Sequence, residues 1–350
     1  MVAPIKIGER CVGPGHPCFI IAEAGVNHNG HVAMAKRLID VASEAGADAI
    51  KFQTFKAERI VTPNAPTAAY QRETTGGKES QLEMLRRLEL SEDMHKALRA
   101  HCQDRGITFL STPFDESSAD FLETLGVPAF KIPSGEVTNL PLLAHVARKG
   151  KPMIVSTGMC TLADVEQAVR TIAETGNRHL ILLHCVSNYP AEPDDVNLRA
   201  MDTMAQAFSL PVGYSDHTMG VEVALAAAAL GACVIEKHVT VSRMLPGPDH
   251  QASIEPHELQ ALVRGIRTVE RALGHGRKEP APGERETAAV ARKSLVAARD
   301  IPGGSVVTET AVALKRPGTG LPPAMLTQVV GRRAINDIPN GTVLTLEMLR

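Results

Sequence analysis

Short runs of β-branched and aliphatic residues alternate with longer amphipathic stretches through most of the chain. Eight runs predict strands: Phe19–Ala22, Asp48–Phe52, Thr108–Leu110, Ala129–Ile132, Met153–Val155, Leu180–Leu183, Val212–Tyr214 and Cys233–Ile235. Between them, stretches such as Val32–Glu44, Ser117–Leu125, Leu162–Glu174 and Val221–Leu230 space their apolar residues by three and four. Leu38, Val41, Ala42 and Ala45 show that helical period. Gly46, Gly106, Gly126, Gly150, Gly176 and Gly231 each follow a helical stretch, where a left-handed residue closes a helix. Eight βα units in roughly 250 residues match a (β/α)8 TIM barrel. A doubly wound open sheet alternates strands and helices too. Its glycine-rich phosphate fingerprint is missing, however, from AEAGVNHNG, which follows the first strand.

The pattern changes at His275. The stretch GHGRKEPAPGERETAAVARK is polar and has neither period, which predicts a barrel domain over 1–275, a linker over 276–290 and a small module over 291–350. That module reads as mostly β. It carries RDIPGG at 299–304 and NDIPNG at 336–341, each ahead of a β-branched run, which points to internal pseudo-symmetry. One long connection, Lys56 to Gln81, contains Pro63, Pro66, Gly76 and Gly77. Connections of that length serve as lids over a site or as solvated excursions, and the spacing leaves both open.

Composition narrows the function classes. The 350 residues exceed what one core organises, and 44% hydrophobic with 22% charged residues is a globular composition. Lys plus Arg number 37 against 39 Asp plus Glu, so no basic excess marks a nucleic-acid binder. The six cysteines are scattered without a CxxC pair, as in proteins of a reducing compartment. The N-terminal MVAPIKIGER lacks the apolar core of a signal peptide, and no run is long enough for a membrane span. A cytoplasmic protein with no membrane partner is the expectation.

In a barrel, chemistry collects where the strands end. Here every end is polar: Glu23, Asn27 and His28; Lys51 and Gln53; Ser111 and Thr112; Lys131, Ser134 and Glu136; Ser156 and Thr157; His184, Ser187, Asn188 and Tyr189; Ser215, Asp216 and His217; Glu236, Lys237 and His238. Two lysines among Ser and Thr hydroxyls make a phosphate pocket; a Schiff-base lysine or ion pairs with Glu23 or Glu136 are the alternatives. His217 and His238 stand on adjacent strands and can converge on one divalent ion, or simply be hydrogen-bonded core histidines. Asp216 is placed to orient an imidazole or hold a substrate hydroxyl. Glu23 and Glu136 are candidate acid/base groups. Asp249 and His250, in PGPDHQAS, belong to a loop past the eighth strand, where an acceptor suits sugar hydroxyls.

The succession IAEAGVNHNG, KFQTF, STPFD, KIPSGE, STGM, HCVSNYPA, VNLRAM, PVGYSDHTMG, EKHVT and PGPDH resembles the sialic acid synthases, in order and over essentially the whole chain. The tail with KRPGTG resembles their SAF (antifreeze-like) domain. The resemblance implies condensation of phosphoenolpyruvate with an N-acetylated mannose-type aldose to a nine-carbon 2-keto acid and phosphate. It puts phosphoenolpyruvate on Lys51, Thr112, Lys131, Ser134, Ser156 and, with Asn in some relatives, Ser187. Gln53, Tyr189 and Ser215 line the same half of the pocket, and Tyr189 also serves the sugar. His217 and His238 hold a divalent metal, Mn2+ in the family, with Glu23 and Glu136 as catalytic carboxylates. By the same resemblance Asp249 would bind sugar hydroxyls, and Arg316 would reach the N-acetyl group across a domain-swapped homodimer. The run PGPDHQASIEP is more like the legionaminate branch than the sialate or pseudaminate branches. A 3-deoxy-octulosonate phosphate synthase would lack the KRPGTG tail, and a glycan- or ice-binding protein would have no use for eight polar strand ends.

Overall fold

The computed structural model describes residues 2–66 and 80–350. The Lys56–Gln81 connection therefore falls partly outside the described residues. Its two ends carry the short helix Ala57–Ile60 and the start of helix Gln81–Leu88.

All eight expected strands form, numbered after a hairpin that the hydrophobic pattern did not announce: β1 (Ile5–Ile7) and β2 (Arg10–Val12). The barrel strands are β3 (Phe19–Gly25), β4 (Ala49–Thr54), β5 (Thr108–Pro113) and β6 (Phe130–Ile132). They continue with β7 (Met153–Ser156), β8 (Leu180–Cys185), β9 (Val212–Asp216) and β10 (Val234–His238). Their ladders are parallel and run in the order β5-β4-β3-β10-β9-β8-β7-β6. β5 and β6 come side by side at the remaining seam, so the sheet is a nearly closed (β/α)8 barrel.

Strand residues alternate between two environments, as the pleat requires. Phe19, Ile21, Ala49, Leu110, Ala129, Ile154, Ile181, Leu183 and Val234 fill the barrel's interior, and Ile5, Ile7 and Val12 of the hairpin join that cluster beside the strand beginnings. The hairpin thus stoppers the N-terminal end. Residues of the other parity, such as Ile20, Ile50, Phe52, Tyr214 and Ile235, pack outward against the helices. Helix Leu162–Glu174 shows how a helix is specified. Thr161 and Asp164 form a capping box, and Val165, Ala168 and Ile172 line the face that is buried. The six glycines expected to close helices all have positive φ.

The chain divides into two compact units, Met1–Gly274 and His275–Arg350. Part of the stretch expected to be a linker, 276–290, is instead ordered into helix Glu284–Ala291. The second unit has its own core around Leu295, Val307, Ala334 and Leu344, and pairs β11 (Ser294–Ala297) with β12 (Val312–Lys315) antiparallel. Its repeated phrases meet. Ile301 and Ile338 exchange backbone hydrogen bonds of 2.9 and 2.8 Å. The carboxylates then trade partners: Asp337 accepts from the Gly303 N–H and Asp300 from the Asn340 N–H, each at 2.7 Å. Reciprocal bonds between equivalent residues are what a pseudo-two-fold unit makes. Among the described residues no helix is long and apolar enough to cross a membrane.

Candidate active site

Above the interior apolar layer, the next inward-facing positions are polar, and they converge at the C-terminal ends of the strands. A cavity of about 280 Å3 is lined there by Glu23, Lys51, Gln53, Thr112, Lys131, Ser134, Ser156, Ser187, Tyr189, Ser215, His217 and His238, all singled out in the sequence. It also contains Glu236, which stood among the polar strand ends without a role, and Cys185, which the sequence did not single out. Period two was the signal for both. Glu236 and His238 share one face of β10, while Lys237 faces away.

At the floor lies a buried quartet of charges. Lys51 Nζ is 2.6 Å from Glu23 Oε2 and 3.7 Å from Glu236 Oε2, and it donates to Thr112 Oγ1 at 3.0 Å. Lys131 Nζ donates to Glu236 Oε1 at 3.1 Å, and Ser215 Oγ donates to the same oxygen at 2.9 Å. Of the readings open for the lysines, ion pairing with Glu23 is realised for Lys51. Both Lys51 and Lys131 share Glu236. Burial, opposed by Lys51 and reinforced by Glu236, raises the Glu23 carboxyl to about 7. Burial also acts on Glu236, but Lys131 and Lys51 outweigh it and hold that carboxyl well below the usual range. Two carboxylates side by side are thereby driven apart, one able to carry a proton near neutrality and one fixed as an anion. Burial lowers Lys131, with Lys51 adding to the effect, while Glu23 and Glu236 hold Lys51 above its ordinary value against burial.

Beside the quartet, hydroxyls surround a space that only glycine leaves open. Ser134 Oγ accepts from the Gly158 N–H at 2.9 Å and faces Cys185 Sγ at 3.6 Å. A Cβ on Gly158 would come within 2.2 Å of Ser187 Oγ and 2.9 Å of Ser134 Oγ. Ser156 Oγ is buried with no partner among the described residues. Hydroxyls and cations around an unfilled space suit an anion.

The histidines complete the wall. His217 and His238 rings lie 5.5 Å apart, and Tyr189 stands 4.2 Å from the first and 5.5 Å from the second. The Val186 carbonyl accepts from His217 Nδ1 at 2.7 Å, so the neutral ring carries its hydrogen on Nδ1 and a free lone pair on Nε2. His238 Nδ1 is buried with no partner among the described residues. Burial, with His217 and Lys51 adding to it, keeps His238 far below the ordinary value and so uncharged. His217 differs: burial lowers it, but the neighbouring Cys185 outweighs burial and holds it above its ordinary value. A divalent ion held by both imidazoles would have to displace a proton there. Among the described residues no set of three or more His, Cys, Asp or Glu has metal-site geometry, so substrate and water oxygens would complete the sphere.

Four expectations change. Glu136 is half-buried and accepts from Asn139 Nδ2 at 2.7 Å; it lines an adjoining cavity rather than the quartet. Asp216 faces outward. It pairs with Lys237 at 2.6 Å and accepts from the Thr218 N–H and hydroxyl at 2.9 and 2.8 Å, orienting no imidazole directly. His184 also points away, bonding the Val196 carbonyl at 2.6 Å. His250, expected over the mouth, is fully buried and bonds Thr240 at 2.7 Å. Asp249 is buried at the adjoining cavity, and burial raises its carboxyl to about 6. Arg316 belongs to the second unit, exposed just after β12.

A barrel whose strand ends enclose buried, charge-balanced polar groups is built as a barrel enzyme. The chain belongs to the NeuB family, whose model matches residues 38–278, and a SAF domain model matches residues 292–350. It is 49% identical to N,N'-diacetyllegionaminic acid synthase of Legionella pneumophila, over 97% of each chain. It is 39% identical to human N-acetylneuraminate-9-phosphate synthase, over 97% of this chain and 95% of that one. Among solved structures, N-acetylneuraminic acid synthetase from Leptospira borgpetersenii superposes with a TM-score of 0.74 at 38% identity, over 82% of this chain and 95% of the other.

Proposed function

We propose that the protein condenses phosphoenolpyruvate with an N-acetylated mannose-type aldose, best matched by 2,4-diacetamido-2,4,6-trideoxymannose, giving N,N'-diacetyllegionaminate and phosphate. One observation carries the reading: two buried lysines, a ring of hydroxyls and two imidazoles with free nitrogens converge in a single cavity at the strand ends. The relatives named for this chemistry are similar along nearly the whole chain.

In this reading Lys51, Lys131, Thr112, Ser134, Ser156 and Ser187 bind phosphoenolpyruvate, with Gln53 and Ser215 alongside. His217 and His238 would hold a divalent ion, Mn2+ in our assignment, which would supply Lewis acidity toward the sugar's aldehyde. C3 of phosphoenolpyruvate attacks the aldehyde carbon, and positive charge develops at C2. The Glu23 carboxylate lies at the floor to face that charge, and accepts a proton from the water that adds to C2. The resulting hemiketal phosphate expels phosphate by C–O cleavage, its phosphoryl oxygens held by the lysines. Glu236 keeps Lys51 and Lys131 charged and in place; Glu136 acts only at the acceptor's side. Tyr189 and Asp249 take the sugar hydroxyls, and Arg316 serves the N-acetyl group of an acceptor in a domain-swapped homodimer.

Phosphate release in the presence of both substrates is the direct test. It is expected to stop on chelation and to return with Mn2+. Continued turnover after exhaustive chelation would remove the metal from the mechanism, and no phosphate release with any acylated aldose would end the synthase reading.

A further inference from the structure

A second cavity of about 310 Å3 adjoins the first and shares Gln53, Phe114, Tyr189 and His238 with it. Its two ends differ in chemistry. The shared end is polar, with Asp249 and Glu136 beside it. The far end is apolar: Phe55, Met84 and Leu88 form a small cluster with Val26, separate from the main core, and Ile60 and Leu85 pack against it. Phe55 and Phe114 meet edge to face there at 5.9 Å. This cluster joins Val26 and Phe55, just past the ends of β3 and β4, to the helices Ala57–Ile60 and Gln81–Leu88.

Charge points the same way. Among the described residues lining this lobe, no lysine or arginine is present, and the two carboxyl groups are the acidic ones already named. Three basic residues of the flanking segments are engaged elsewhere: Lys56 with Glu89, Arg59 with Asp115, and Arg86 with Glu58. Among the described lining residues, a phosphate dianion would meet two carboxyl groups, hydrocarbon and neutral polar groups such as Gln81, and no cation to pair with.

We infer that this lobe is the specificity pocket for the far end of the acceptor, taking the C6 methyl and C4 acetamido methyl of an unphosphorylated deoxy sugar through Ile60, Met84, Leu85 and Leu88. The inference rests on the synthase reading, which fixes the direction of the acceptor. The reacting aldehyde must lie at the shared end, by His238, so the C4–C6 end extends into the apolar part. One methyl group in an apolar pocket changes kcat/KM by roughly 10- to 200-fold. A hydroxyl at C6 forfeits that gain and, away from the Gln81 amide at the lobe's edge, is desolvated among hydrocarbon.

The experiment compares three acceptors with phosphoenolpyruvate: 2,4-diacetamido-2,4,6-trideoxymannose, N-acetylmannosamine and N-acetylmannosamine 6-phosphate. The trideoxy sugar is expected to exceed N-acetylmannosamine by about tenfold or more in kcat/KM, with the 6-phosphate poorest. Leu85→Gln and Ile60→Thr, on different helices, are each expected to narrow that preference several-fold while leaving the KM for phosphoenolpyruvate within about twofold, since the apolar-to-polar change confines its loss to the methyl-binding end. Comparable kcat/KM for the first two sugars, or a preference for the 6-phosphate, overturns the pocket assignment while the synthase reading stands. Variants that turn over normally with the preference unchanged overturn it too. Absence of phosphate release with all three sugars would sink the synthase reading, and this inference with it.

Discussion

Glu23 and Glu236 show how position decides the behaviour of two chemically identical side chains. Both are buried beside Lys51, yet Glu236 also accepts hydrogen bonds from Lys131 and Ser215, which leaves Glu23 as the carboxyl able to exchange a proton near neutral pH. Glu23→Gln is therefore expected to lower kcat by about 10²- to 10⁴-fold with phosphoenolpyruvate affinity kept. Near-normal turnover in that variant would clear Glu23 of the proton-handling role. Asp249 allows a cleaner test of electrostatics, because burial dominates its shift. Its carboxyl ionises near 3.8 when solvated and near 6 when folded, so between those values the folded state holds the extra proton. Stability from this group is thus full below about pH 4 and lost as pH rises through 6, a loss of about 3 kcal/mol by linkage. Asp249→Asn removes that term. Its melting temperature relative to the unsubstituted protein should climb between pH 4 and pH 7; a constant difference across that range would contradict the assignment.

At the scale of the element, β9 and β10 are bolted together from behind. Lys237 Nζ bonds Asp216 Oδ2 at 2.6 Å and the Thr218 carbonyl at 2.8 Å, so the pair brackets His217 on one strand and abuts His238 on the next. Asp216→Asn should weaken Mn2+ binding about 10- to 100-fold, read by titration in the absence of substrate, with the fold retained. Unchanged metal affinity would make the pair a matter of stability alone. These elements also show what could be read from the residues and what could not. The eight barrel strands and the glycine-closed helix ends were legible, because β-branched runs and left-handed glycines act locally. The β1–β2 hairpin was not, since three residues per strand are too few to display a period. Helix Glu284–Ala291 escaped for a different reason: it buries none of its residues, and so has no apolar stripe to reveal it. Within the site, the polar triplets Ser215-Asp216-His217 and Glu236-Lys237-His238 offered every residue as a candidate. Only the pleat separates those facing the cavity from those facing the helices.

For the whole molecule, the separate cores matter most. The barrel's clusters and the second unit's cluster are made of different residues, each within its own stretch of chain. A chain ending at Gly274 is expected to keep a cooperative thermal transition and to lose most of its turnover, if Arg316 serves the acceptor. Full activity in the shortened protein would relieve the SAF domain of any catalytic part. Sedimentation of the full chain as a monomer at assay concentration would argue against the swapped dimer.

The alternation along β9 and β10 has a hereditary side. Successive codons there spell two messages, one for the cavity and one for the clamp behind it, interleaved in a single reading. A base change can edit either message alone. Losing or gaining one whole codon, however, would turn the strand's downstream face about, presenting aspartate and lysine to the substrate and histidine to the helices. Such strands can drift by replacement, but their length is held fixed by the chemistry on both faces.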